Sequence, residues 1–205
     1  MKQVYFGFGL AIIYWFLMFS PWTAPHLNFW IIMMLATGSL ITLSLVAGRR
    51  ENREIYIFHP KYLVIGVVSS LLLYLIFWIG NEVSLMLFDF TERQVANVYS
   101  TKDQADQMLI MLALFFWIAP AEEIFWRGFA QFRMQGKTTP FRAWLITTAV
   151  YALVHIWAFN FMLFMAALIV GLFWGWIFYR WQNVWPALIS HAIWDVLIFI
   201  IIPMQ

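Results

Sequence analysis

Glu122 and Glu123 stand side by side in a stretch, Met108 to Phe129, that otherwise reads as membrane helix, with Arg127 one helical turn further on. An ionised side chain at bilayer depth costs several kcal/mol on insertion scales, and such groups mark functional sites by default. Later apolar stretches hold three more groups of this kind, His155, His191 and Asp195. Two imidazoles and a carboxylate from separate helices form a ligand set for zinc or a similar ion with an open position for water. A free glutamate beside that water would act as general base and then as proton donor. The same parts can work without metal, Glu122 and one histidine orienting water while the other histidine stabilises an oxyanion. Either route hydrolyses an amide bond, and the residues leave both open.

Spacing assigns provisional roles. Glu123 and Arg127 are i,i+4 and share a helix face, so an internal ion pair would lower the insertion cost of both. Glu122 points about 100° away from Glu123 and has no partner near it in sequence. His191 and Asp195 are again i,i+4, where the carboxylate would fix the imidazole tautomer. Tyr151 and His155 share that spacing, and the phenol would donate to charge developing nearby. A single membrane histidine is commonly a hydrogen-bonded packing residue, and Glu123 with Arg127 reads first as a structural pair. Taken together, the set favours function.

Composition dictates the elements that position these groups. The chain has 205 residues, 64% hydrophobic and 11% charged, far from the balance of a soluble domain. It reads as an all-α, multi-pass protein of the cell membrane, with the lipid bilayer as its surroundings. A net charge of +2 spread over short loops excludes a nucleic-acid partner, and the absence of cysteine excludes disulfide and thiolate chemistry. Spans of about 20 apolar residues are expected near 4–20, 28–47, 62–88, 107–134, 141–158, 160–179 and 184–202. They form a single integral membrane domain (1–205) with an uncleaved first span. The boundary near Asn160 is the least secure, and Asp89 to Gln107 suits a short interfacial helix.

Basic residues give the orientation, because they accumulate in cytoplasmic loops. With the N-terminus inside, Lys2, Arg49, Arg50, Arg53, Lys61, Arg133, Lys137, Arg142 and Arg180 are inner, and only Arg93 and Lys102 are outer. The topology is therefore N-in and C-out. At 1.5 Å per residue, Glu122, His155 and His191 lie about 18, 20 and at most 16 Å from the inner side. This common depth predicts one wet pocket beneath the inner leaflet.

Three motifs then carry a family resemblance. Glu122-Glu123-Ile-Phe-Trp-Arg127-Gly128 resembles the EExxxR(G) motif of the CAAX-protease and bacteriocin-processing family, CPBP or Abi. Tyr151-Ala-Leu-Val-His155 resembles its FxxxH motif with Tyr for Phe. Trp185-Pro-Ala-Leu-Ile-Ser-His191-Ala-Ile-Trp-Asp195 resembles its HxxxN/D motif with the Pro-Ala lead-in. The likeness covers residues 107–202, while 1–106 match only as generic membrane helices. It implies an intramembrane endopeptidase, glutamate- or metal-dependent, acting on a membrane-associated peptide or protein. Glu122 would activate water, His155 and His191 would be catalytic or metal-binding, Asp195 would orient them, and Glu123, Arg127 and Tyr151 would support. Asp195 in place of Asn adds negative charge that suits a cation, and the zinc ligands would then be His155, His191, Glu122 and Asp195. Two rival classes are a non-catalytic immunity or scaffold protein, and a proton or cation transporter, against which no inverted repeat is found.

Overall fold

The computed structural model describes residues 1–48 and 53–204; Arg49 and Arg50, counted above as inner residues, lie outside them. The described residues are mostly helical, with no strand among them. The elements are α1 (Lys2–Phe19), α2 (Phe29–Gly48), α3 (Pro60–Leu87), α4 (Thr91–Tyr99), α5 (Gln107–Gln135), α6 (Pro140–Ala158), α7 (Phe161–Trp181) and α8 (Trp185–Ile201). Six of these are long and apolar enough to cross a membrane, and α8 is a shorter apolar helix. The protein is a multi-pass membrane protein of about seven spans, with α4 as the short helix expected between Asp89 and Gln107.

Caps and prolines set the boundaries. The Asp106 carboxylate accepts from the Met108 and Leu109 amides at the start of α5, and the Thr139 hydroxyl accepts from Arg142 ahead of Pro140 at α6. Asn160 accepts from Leu163 at the start of α7. Just before it, α6 tightens into a turn over His155–Ala158, and Phe159 reverses the chain in the left-handed region at φ 46°. Within α5, Pro120 has no amide to donate and its ring crowds the carbonyl four residues back. The backbone widens into π turns on both sides, Leu114–Ile118 and Ile124–Gln131. The two glutamates fall on the short segment Ala119–Glu123 between them. Such wide turns recur at functional sites.

Crossing helices alternate in direction, so the bundle has two ends. One holds the N-terminus, the α2–α3 and α5–α6 links and the start of α8. The other holds residues 20–28, the strap 88–106, Phe159 and the C-terminus. At the first end the turn Arg53–Tyr56 dips into the bundle. There Val184 N donates to Ile55 O at 2.9 Å, Asn183 to Ile57 O at 3.0 Å and Trp185 Nε1 to Tyr56 O at 2.8 Å. Gly128 meets the Tyr56 hydroxyl and Val184 so closely that a Cβ would clash. α8 therefore starts level with Gly128, inside the bundle. That recess brings His191 to the height of Glu123 although it is only six residues into its helix.

Small residues let the helices approach. In Gly171-Leu-Phe-Trp-Gly175 of α7, a Cβ on Gly175 would lie 2.6 Å from Trp144. The two glycine carbonyls accept from Thr148 Oγ1 (3.0 Å) and Gln131 Nε2 (2.9 Å). On α3, a Cβ at Gly66 would lie 2.6 Å from Ile189 Cβ on α8, an atom fixed to its backbone. Gly66→Leu is expected to push α8 outward and cost about 1–3 kcal/mol, the usual overpacking penalty. A thermal midpoint in detergent equal to that of the parent would show that the α3–α8 contact yields freely.

Candidate active site

α5, α6 and α8 deliver the sequence-nominated groups to one cavity of about 800 Å³. Glu122, Tyr151, His155, His191 and Asp195 all line it; Glu123 and Arg127 lie behind its wall. Glu122, His155 and His191 are only 3%, 8% and 4% exposed, so each needs an internal partner.

Each has one. The Tyr151 hydroxyl donates to Glu122 Oε2 at 3.1 Å, giving the glutamate a partner from another helix. Trp15 Nε1 on α1 donates to His155 Nε2 at 3.0 Å. Because an indole only donates, Nε2 is the unprotonated nitrogen, and Nδ1–H donates to Tyr151 O at 2.8 Å. Trp15 thus fixes the tautomer of His155. His191 Nδ1 faces Glu123 Oε1 at 2.8 Å, and the Arg127 guanidinium donates to the same oxygen at 2.7 Å. Asp195 Oδ2 is farther from His191, 3.4 Å from Nε2. The Trp174 ring stacks on the imidazole, with centroids 3.7 Å apart and planes 20° apart. Its own Nε1 donates to Ser190 at 3.2 Å.

This geometry amends two expectations. Glu123, read as half of a structural pair, also holds His191, and holds it more closely than Asp195 does. And the zinc set His155, His191, Glu122 and Asp195 does not fit an ion as arranged. Both nitrogens of His155 are engaged, both nitrogens of His191 face carboxylate oxygens, and no group of three His, Cys, Asp or Glu among the described residues could hold a metal.

A family model described as type II CAAX prenyl endopeptidase Rce1-like matches residues 104–197. This segment is similar to that family. No curated protein and no solved structure gives a significant match. The Rce1-like segment runs from just before α5 into α8 and so contains all seven nominated residues, Glu122, Glu123, Arg127, Tyr151, His155, His191 and Asp195.

Trp15 lies outside the Rce1-like segment and was invisible to motif spacing, since it sits 140 positions from its partner. Trp174 lies within it, and a signal for it did exist. It occupies the interior of the Gly171–Gly175 small-xxx-small repeat, the face that packs most closely. Trp15→Phe keeps an aromatic ring at this buried position but removes the donor and part of the ring. At about 1 kcal/mol for a buried hydrogen bond, cleavage should fall about fivefold. An unaltered rate would reduce the bond to packing.

Proposed function

We propose that the protein is an intramembrane endopeptidase that hydrolyses an amide bond of a membrane-associated peptide or protein. The observation that carries this is the placement of the Glu122 carboxylate in the same cavity wall as Tyr151, His155 and His191, within an Rce1-like segment. Glu122 takes a proton from a water in the cavity as the water oxygen attacks the scissile carbonyl carbon. It returns that proton to the departing amine nitrogen as the carbon–nitrogen bond breaks. The Tyr151 hydroxyl is the donor placed to turn from Glu122 to the developing oxyanion. His191, clamped by Glu123 and stacked on Trp174, presents its Nε2 edge beside Asp195. His155, its tautomer fixed by Trp15, lines the same cavity as Glu122. No metal enters these steps.

The test is cleavage of a peptide library by purified protein in detergent. His191→Ala should lose cleavage by about 10²-fold or more, in line with general acid–base contributions, while remaining folded and inserted. Cleavage at the parent rate would refute the role of His191. Stoichiometric zinc in the parent, lost in His155→Ala, would reinstate the metal route.

A further inference from the structure

We infer that a groove between α3 and α7, separate from the cavity, binds an anionic glycerophospholipid, with an acyl chain along the groove and the phosphate at Lys61 and Arg180. This site does not rest on the hydrolase reading above.

The groove is hydrocarbon along its length. It encloses about 310 Å³ and shares no lining residue with the cavity. Val64, Val68 and Leu72, four residues apart on one face of α3, form one wall, and Phe173, Trp176 and Ile177 of α7 form the other. From Val64 to Leu72 it follows α3 for about 12 Å at 1.5 Å per residue. Ser69, set among these chains, turns its hydroxyl back to Gly66 O at 3.0 Å. Val64, Val68, Leu72 and Trp176 are exposed, so in a bundle that crosses the membrane they meet lipid.

The slot suits a single chain and not a partner helix. Membrane helices approach each other where small residues open the surface. The glycines level with the groove are committed elsewhere: Gly66 to Ile189 of α8, and Gly171 and Gly175 to Thr148 and Trp144 of α6. Toward the groove both helices present branched and aromatic side chains. These hold a second helix at a distance and leave room between them for an acyl chain.

Charge marks one end. Trp181 closes the groove where α7 stops and α3 begins. Lys61 Nζ lies 5.7 Å from its ring centroid and Arg180 Cζ 5.5 Å, so two exposed cations from different helices share one indole. Neither pairs with a carboxylate among the described residues. Lys61 also lies 5.1 Å from the Tyr62 centroid, and Trp and Tyr rings favour the headgroup level of a bilayer. Basic groups at that level recognise anionic headgroups. A phosphate there meets both cations, while the chain below it meets only hydrocarbon. Lys61 and Arg180 are the only lysine or arginine residues in α3 and α7, which fixes the orientation of the lipid.

The test is titration of the purified protein in detergent with dioleoyl phosphatidylglycerol or dioleoyl phosphatidylcholine, bound lipid being counted by native mass spectrometry. One phosphatidylglycerol per chain should bind about 30-fold more tightly than phosphatidylcholine, about 1 kcal/mol for each of the two cations. Lys61→Gln with Arg180→Gln, both at exposed positions, should abolish that preference. Lys137→Gln with Arg142→Gln, which removes the same charge from exposed positions around the start of α6, should keep it. Val68→Trp fills the groove, leaves both cations in place and should weaken both lipids severalfold. Equal affinity for the two lipids, or an equal loss of preference in both charge variants, overturns the headgroup assignment. Undiminished binding to Val68→Trp protein overturns the groove as the seat of the acyl chain. A dimer without bound lipid, dissolved by Val68→Trp, overturns the lipid and makes the groove a contact between copies of this chain. Lipid binding is counted without turnover, so neither result alters the hydrolase reading.

Discussion

Glu122→Gln protein is expected to fold, insert and lose cleavage by about 10²–10⁴-fold, the range that a positioned general base supplies. The substitution is nearly isosteric, and its amide oxygen still accepts from the Tyr151 hydroxyl, so the 3.1 Å contact between α5 and α6 survives. What disappears is the capacity to hold a proton between attack and departure. Glu122 shares no hydrogen bond with Arg127 or His191, so no ion pair is broken. Cleavage by purified protein, read beside its thermal midpoint, separates the two effects. A Glu122→Gln enzyme as active as the parent would leave the endopeptidase reading without its base and favour a non-catalytic binding role.

Arg127→Met should act on the opposite quantity. Arg127 is 2% exposed and Glu123 fully buried, and the guanidinium is the cation nearest that carboxylate. Glu123 Oε2 has no hydrogen-bond partner among the described residues, so Oε1 and its two donors carry the whole cost of keeping the charge buried. Removing one partner of a buried pair destabilises by about 3–5 kcal/mol, because the other charge is left uncompensated. The arginine also fills space between aromatic rings, its Cζ 5.3 Å from the Tyr151 centroid and 5.7 Å from that of Trp174. The expected result is a large drop in thermal midpoint and in accumulated protein, with His191 released on one side. Adding Glu123→Leu to Arg127→Met should recover much of the stability, since an apolar pair replaces the ionic one, and none of the activity. A lone Arg127→Met protein as stable as the parent would show that Glu123 is solvated or protonated without its partner.

Much of this was legible in the sequence because membrane helices obey few rules. Hydropathy alone places the crossing segments to within a few residues, including the turn at Asn160, where the side chain that made the boundary uncertain turns out to cap the next helix. The i,i+4 pair of Glu123 and Arg127 was legible because both ends lie on one helix. The partners of Glu122, His155 and the second face of Glu123 were not, because Tyr151, Trp15 and His191 come from other helices and no spacing encodes rotation between them. The common depth was anticipated for an incomplete reason. The count from Arg180 gave only an upper bound, lowered by any non-helical turn; that turn stands at Gln182, left-handed at φ 46°, and the recess of α8 beneath the Tyr56 turn restores the match.

The indole of Trp15 has a further implication for how the molecule is divided. A segment cut to the bounds of the recognisable motifs would retain every acid and imidazole yet leave His155 free to swap tautomers and seek another donor. The N-terminal helix, unremarkable by composition, thus holds, through Trp15, a side chain that lines the cavity. The surroundings of His155 therefore extend beyond the residues where family likeness begins.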